Sequence, residues 1–164
     1  GLALPERYIN DLLQAAPLHD IGKIGIPDDI LNKPGKFEPE EWEIMKQHAF
    51  LGYELLASSG KRLLPLAAVI AHQHHEKWDG SGYPQGLSGE NIAMAGRISA
   101  LADVVDALVS KRCYKESWPL ADALDYVKSQ RGIHFDPALI DVLFANLDKL
   151  DDIYQRYPDA PGAP

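Results

Sequence analysis

Histidine and aspartate residues recur along this chain in an order that suits a metal site. The set consists of two adjacent pairs and two single residues: His19 with Asp20, His74 with His75, His48, and Asp103. Neutral imidazole and carboxylate groups are the usual ligands of first-row transition metals in proteins. The set therefore predicts metal chemistry, provided that the fold brings its members together.

The two adjacent pairs constrain the kind of site. Neighbouring residues on a regular helix diverge by roughly 100°, so His19 and Asp20, or His74 and His75, would not grip one ion from an unbroken helix. A local break in the helix, or a cluster of two or more ions, removes this difficulty. A carboxylate such as Asp20 can bridge two ions, and paired ions stabilise both the attacking and the leaving oxygen in phosphoryl displacement. Hydrolysis of a phosphate ester is therefore the chemistry that the pattern favours.

Each residue taken alone has a simpler structural interpretation. A single histidine such as His48 is more often a surface or hydrogen-bonded core residue than a ligand, and His74 or His75 would suit a solvated helix end. Asp103 would suit a core position satisfied by hydrogen bonds, although an ionised carboxylate is rarely buried without a partner. The metal hypothesis depends on the set as a whole.

The spacing of apolar residues predicts helices almost throughout. Helices are expected at about 5–18, 39–56, 62–76, 94–111 and 119–132, with a last helix from Pro137. Residues 26–35, which are bounded by prolines, are expected to form a short helix or a turn. Trp42, Met45, Ala49, Tyr53 and Leu56 would form the inward stripe of the long helix. The Gly- and Pro-rich segment 78–86 breaks the periodicity and predicts a loop. No stretch alternates as a strand would, so an all-α helical bundle is expected.

Composition limits the class of protein. The 164 residues suit one domain, and 46% hydrophobic with 24% charged residues is typical of a chain that folds in water. There is no apolar run long enough to span a membrane, and the single cysteine favours a reducing compartment, so a cytoplasmic location is expected. The net charge of −8 argues against binding a nucleic-acid polymer.

An ordered set of motifs resembles the HD-GYP family of the HD phosphohydrolase superfamily. The strongest parts are the string from Leu18 to Pro27, which contains the His-Asp pair, and the string from His74 to Pro84. The likeness continues to about residue 145 through a further series: Gly86-Leu87, Arg97-Ile98, Ala102-Asp103, Asp106-Ala107-Leu108, Arg112, Tyr114-Lys115 and Phe135-Asp136-Pro137. A lone His-Asp dipeptide is unspecific, whereas this ordered set is highly specific.

The resemblance implies an HD-domain helical bundle that hydrolyses cyclic di-GMP to pGpG or GMP. It implies two or three divalent transition-metal ions, iron or manganese, held by the six residues named at the outset. Lys23 would lie near the scissile phosphate, where its ammonium could neutralise charge or protonate the leaving oxygen. Lys23 and Asp20 are therefore the expected catalytic residues.

The resemblance also implies a set of substrate-binding positions. The loop Gly82-Tyr83-Pro84 would form a wall beside the site, and Arg112 and Lys115 would bind the phosphate or guanine of the nucleotide. Asp106 lies one turn from Asp103 and would contact guanine or orient a ligand. His72 and His134 are expected outside the site.

Three departures from the family pattern leave alternatives open. Ala93 and Cys113 stand where the family has proline, and an upstream helix that supplies further ligands has no counterpart. We therefore expect residues 1–157 to form an N-terminally incomplete domain and 158–164 a flexible tail. The family also suggests an N-terminal receiver or sensor domain. The rival hypotheses are an HD phosphohydrolase of another nucleotide and a non-catalytic binding or interaction module.

Overall fold

A computed structural model of the chain describes residues 2–110 and 117–156. Eight α-helices follow one another within these ranges: α1 Glu6–Ala15, α2 Asp28–Leu31, α3 Pro39–Ala57, α4 Leu64–Gln73, α5 Met94–Val109, α6 Leu120–Ser129, α7 Pro137–Phe144 and α8 Leu147–Arg156. Short 3-10 helices cover Ala16–Leu18, Ile21–Gly25 and Gly89–Asn91. The described residues form no β-strand, only an isolated bridge between Arg131 and Phe135. The predicted all-α fold is confirmed.

Helix α4 lies at the centre of the bundle and packs against α1, α3 and α5. Its inward residues are small or branched and almost completely buried: Ala67, Ala68, Ile70 and Ala71. Small side chains let the neighbouring helices approach closely, and the burial of so much apolar surface stabilises the arrangement. The end of this central helix carries His74, so the core of the bundle fixes the position of that residue.

Besides the apolar core around α4, two further apolar clusters stabilise the rest of the bundle. Residues of α5, α6 and α7 form one of them, around Leu108, Val127, Phe135 and Ile140. A smaller cluster of Ile26, Ile30 and Met45 joins the segment after the second 3-10 helix to α3. In the described residues, no helix is both long enough and apolar enough to cross a membrane.

The inward stripe predicted for α3 is only partly correct. Met45, Ala49 and Leu56 are buried, but Trp42 is 42% exposed and Tyr53 is 36% exposed. Both aromatic rings lie at the edge of the buried face and contact other aromatic rings instead of the core. Trp42 packs edge-on against Tyr83 at 5.9 Å, and Tyr53 stacks on His72 at 4.5 Å between ring centroids.

The predicted single C-terminal helix is instead two helices. The side chain of Asn146 donates to the carbonyl of Val142, and the carbonyl of Asn146 accepts the backbone N–H groups of Lys149 and Leu150. Asparagine competes in this way with the regular helical hydrogen bonds, so it ends α7 and begins α8.

A largely buried ion pair connects α5 to the start of α7. Arg97 donates to Asp136 at 2.7 Å, and their side chains are only 13% and 5% exposed. Asp136 also accepts the N–H of Ala138 and so caps α7. Arg97 and Asp136 both belong to the motif series of the sequence analysis. In the structure their role is to hold α5 against the start of α7.

Candidate metal centre

The six predicted ligands come from four segments that meet at one end of α4. His19 and Asp20 form the turn between two 3-10 helices, and His74 and His75 follow directly on α4. Neither adjacent pair therefore lies on a regular helix, so the angular difficulty raised by the sequence does not arise. The remaining two positions are on helices, with His48 on α3 and Asp103 on α5.

Asp20 occupies the middle of the cluster. One of its carboxylate oxygens, Oδ1, lies 3.4 Å from Nε2 of His48 and 3.7 Å from Nε2 of His74. The other oxygen, Oδ2, lies 3.4 Å from Nε2 of His19. The same Nε2 atom of His19 lies 3.7 Å from Oδ1 of Asp103. A carboxylate with a ligand group on each side is the arrangement that bridges two ions.

Four residues bring their ligand atoms within 4.8 Å of one another: Asp20, His48, His74 and His75. The Nε2 atom of His48 is 3.1 Å from that of His75 and 3.4 Å from that of His74. His19 and Asp103 lie on the other side of Asp20 and complete a second group of ligands. The structure thus brings all six predicted ligands together.

Hydrogen bonds fix the orientation of three of these imidazoles. Nδ1 of His19 lies 2.9 Å from the carbonyl of Ala16, that of His48 lies 2.7 Å from Met45, and that of His74 lies 3.0 Å from Ala71. A carbonyl can only accept, so each Nδ1 carries a proton, and Nε2 is the ring nitrogen that faces the cluster. Metal-binding histidines are held in this way.

The ionisation of the cluster also suits cation binding. Burial, together with the neighbouring His74 and His48, lowers the pKa of His75 to about 2, and burial lowers that of His48. Burial alone would raise the pKa of Asp20, but hydrogen bonding by His19, His74 and Lys23 outweighs it and holds that pKa well below its usual range. A metal ligand must be unprotonated at the atom that binds, and the lowered pKa values of His75, His48 and Asp20 favour that form. The donor set therefore fits divalent transition-metal ions.

Lys23 and Tyr83 lie at the edge of the cluster. The ammonium of Lys23 is 2.5 Å from Asp20 Oδ2 and its side chain is 42% exposed, so it remains accessible to a ligand. The ring of Tyr83 stacks on His75 at 4.7 Å, and burial raises the pKa of its hydroxyl. Tyr83 therefore keeps its proton and can donate a hydrogen bond.

The other predicted substrate-binding residues differ in where they lie. Gly82 packs so closely on the backbone of Glu76 and Lys77 that no side chain would fit there, and Pro84 is exposed at the outer edge of the loop. Asp106 lines a cavity of about 570 Å³ together with His19 and Asp103. Arg112 and Lys115 lie outside the described residues, as does the tail 158–164.

Glu76 was missed by the sequence reasoning. Its side chain is almost fully buried, at 1% exposure, and its two carboxylate oxygens accept the backbone N–H groups of Gln85 and Leu87 at 2.7 and 2.9 Å. The carboxylate thus holds the loop that carries Tyr83 against His75. An acidic residue directly before a glycine-rich loop was the available signal, but the sequence does not show which N–H groups the folded loop leaves unpaired.

The two excluded histidines behave differently. His72 stacks on Tyr53 away from the cluster, as predicted. His134 stacks on Phe135 and lines a cavity that also contains His75 and Tyr83. It therefore lies nearer to the candidate site than its position beside the cap of α7 suggested.

Comparisons with known proteins agree with the geometry. A family model described as "HD domain" matches residues 1–139. The chain is 48% identical over 163 residues to a cyclic di-GMP phosphodiesterase response regulator, RpfG, of Xanthomonas campestris. The aligned residues cover 99% of this chain and 43% of that protein. It is 46% identical over 158 residues to a cyclic di-GMP phosphodiesterase of Thermotoga maritima, with coverages of 96% and 43%.

Two proteins of Vibrio cholerae are also similar. A 3'3'-cGAMP-specific phosphodiesterase 2 is 46% identical over 156 residues, which cover 95% of this chain and 30% of that protein. The crystal structure of a cyclic GMP-AMP specific phosphodiesterase superposes with a TM-score of 0.64 at 23% identity, over 99% of this chain and 45% of the other, and supports the fold. The chain spans less than half the length of each of these relatives.

Proposed function

This chain belongs to the HD domain family, and from that membership we propose that it is the metal-dependent phosphodiesterase domain of a protein that hydrolyses cyclic di-GMP to pGpG or GMP. The observation that carries the proposal is the position of Asp20, with ligand groups on both sides of its carboxylate. The similarity to cyclic di-GMP phosphodiesterases at 46–48% identity supports the choice of substrate.

The six proposed ligands would hold two ions that share Asp20. His48, His74 and His75 would bind one, and His19 and Asp103 the other; iron or manganese suits this mixture of imidazole and carboxylate. Divalent ions in such a site lower the pKa of water and neutralise charge on phosphoryl oxygens.

The remaining groups act on the substrate itself. The ammonium of Lys23, beside Asp20, would balance the charge that develops on the phosphoryl group or protonate the leaving oxygen. The protonated hydroxyl of Tyr83 would donate to the nucleotide, while Gly82 and Pro84 shape the loop around it. Asp106 would contact guanine from the cavity beside His19, and Arg112 and Lys115 would bind phosphate or guanine.

Hydrolysis of cyclic di-GMP by the purified protein, loaded anaerobically with Mn²⁺ or Fe²⁺, tests the proposal. We expect turnover in the wild type, loss of turnover and of bound metal in Asp20→Asn, and little change in His72→Asn, since His72 lies away from the cluster. A panel with 3'3'-cGAMP, pGpG and mononucleotides separates the substrates. Preference for a mononucleotide would contradict the proposal in favour of another HD phosphohydrolase.

The non-catalytic alternative predicts a different result. A binding or interaction module would retain the fold but bind less than one transition-metal ion per chain after loading. Elemental mass spectrometry on the same samples makes this distinction. A regulatory receiver or sensor domain elsewhere in the full-length protein, and a cytoplasmic location, remain part of the proposal, and the response regulator of Xanthomonas campestris supports the former.

A further inference from the structure

A second cavity, of about 380 Å³, lies next to the candidate metal centre. It shares only one of the six proposed ligands, His75. Its wall is contributed by α3, by the segment after α4 with its glycine-rich loop, and by the turn before α7: Trp42, Lys46, His75, Lys77, Tyr83 and His134. Two of these residues, His75 and Tyr83, have roles proposed above, whereas Trp42, Lys46, Lys77 and His134 have none.

The wall of the cavity carries positive charge. It contains two lysines and no carboxylate among the described residues. Lys46 lies over the ring of Tyr83, 5.8 Å from its centroid, and its ammonium is 2.7 Å from Glu43, whose side chain is 68% exposed. Such a partner in solvent binds weakly and can be exchanged for another anion. The ammonium of Lys77 has neither an ion pair nor a hydrogen bond within the part of the chain that the structure describes.

When its Nε2 binds a metal ion, His75 offers Nδ1–H as a further hydrogen-bond donor. Its Nε2 faces His48 in the cluster at 3.1 Å, so the neutral ring that binds a metal through this atom carries its proton on Nδ1. The other three histidines direct Nδ1 to backbone carbonyls, whereas Nδ1 of His75 has no such partner among the described residues. Histidines that bind metals almost always donate their second N–H to an acceptor.

We propose that this cavity is an anion site that binds the phosphate monoester of a nucleotide. Lysine ammonium groups and imidazole N–H groups that surround one space suit an anion with several acceptor oxygens, and a phosphate monoester is one. The rings of Trp42 and Tyr83 offer the apolar wall that a nucleoside would contact. An oxygen of the bound phosphate accepts a hydrogen bond from Nδ1–H of His75, and this contact connects occupancy of the cavity to the orientation of a metal ligand.

The inference is distinct from the proposed function. It concerns binding outside the metal cluster, and it holds whether or not the cluster hydrolyses cyclic di-GMP. A phosphate monoester is also the group that opening of a cyclic dinucleotide creates, so the site would allow the product to affect the metal centre. This last step rests on the proposed function, whereas the binding site does not.

Calorimetric titration of Asp20→Asn with GMP tests the site, because that substitution removes the carboxylate shared by the proposed metal sites. In the Asp20→Asn background, Lys46→Gln should weaken GMP binding about tenfold, and so should Lys77→Gln, because each substitution removes one charge-assisted contact. Lys61→Gln is the matched control: Lys61 follows the opposite end of α3, and its loss should leave binding unchanged. Inorganic phosphate should bind with the same dependence on lysine, and guanosine should not compete.

A second measurement uses the wild-type protein loaded with Zn²⁺. The indole N–H signal of Trp42, assigned by comparison with Trp42→Phe, should shift on titration with GMP, and Lys77→Gln should weaken that titration about tenfold. Binding that is equal in Lys46→Gln, Lys77→Gln and Lys61→Gln, or a Trp42 signal that does not move, would overturn the proposal. Binding of guanosine as tight as that of GMP would likewise exclude an anion site. Neither result would affect the hydrolysis assay, so the two proposals can fail separately.

Discussion

Gly22 lies against the backbone carbonyl of His48, so closely that a methyl group on Gly22 would overlap it and the backbone N–H of Gly52. The 3-10 helix that begins directly after Asp20 therefore packs on α3 backbone to backbone. This contact places Asp20 Oδ1 at 3.4 Å from Nε2 of His48. The absence of a side chain at position 22 is thus a condition for the two residues to meet.

Gly22→Ala is expected to damage both the fold and the metal centre. The added methyl group must push the 3-10 helix away from α3, which should lower the free energy of unfolding by about 2 kcal/mol or more. It should also weaken metal binding, because Asp20 moves away from His48. Urea denaturation and elemental analysis measure the two effects. Gly60→Ala is the control, since nothing lies within 4 Å of a methyl group there. Equal metal content in the two variants would contradict this account.

Glu76→Ala should disturb hydrolysis more than metal binding. The substitution leaves the partly buried N–H groups of Gln85 and Leu87 without their acceptor, and an unpaired group costs about 1–3 kcal/mol where it stays shielded from water. The loop should then open, and Tyr83 should leave His75. We expect turnover of cyclic di-GMP to fall at least about tenfold and proteolysis within 79–88 to become faster.

The conservative variant separates positioning from general damage. Glu76→Gln keeps one carbonyl acceptor, so it should recover part of the turnover and of the resistance to proteolysis. Glu90→Gln, at an exposed position in the 3-10 helix after the loop, is the matched control. Turnover in Glu76→Ala equal to that of the wild type would show that the loop needs no such support.

Arg97→Met should lower stability without affecting the site. The variant leaves the buried carboxylate of Asp136 without its cation, and breaking a buried ion pair in this way costs about 3–5 kcal/mol. Metal content at low temperature should be unchanged, because neither residue touches the cluster. Arg131→Met is the comparison: Arg131 pairs with Asp141 on the surface, where ion pairs contribute little, so thermal denaturation should hardly change. Equal losses in the two variants would contradict the importance of burial.

The grouping of the six candidate ligands could be predicted from the sequence, because the resemblance rests on the order of the motifs along the chain and not on helix geometry. His19, Asp20 and the pair His74-His75 stand where regular helices end, and the bundle brings those ends together. The role of Glu76 could not be predicted in the same way, because it depends on which N–H groups the folded loop leaves unpaired. Trp42 was assigned to the core because helical spacing does not distinguish the centre of a buried face from its edge.

His134→Gln should make the protein less sensitive to acid. Burial, with the nearby charge of Lys77, lowers the pKa of His134 to about 4, whereas in the unfolded chain it is about 6.5. Between these values the unfolded state binds a proton that the folded state does not, so stability falls as the pH drops from about 6.5 towards 4. His134 is partly exposed, so solvent screening limits its share of this loss to about 1–2 kcal/mol. Urea denaturation at pH 7.5 and pH 5 measures it: the difference between the two pH values should be smaller in His134→Gln than in the wild type. Equal differences would mean that His134 does not stay neutral through burial, and that the acid sensitivity comes from the other histidines.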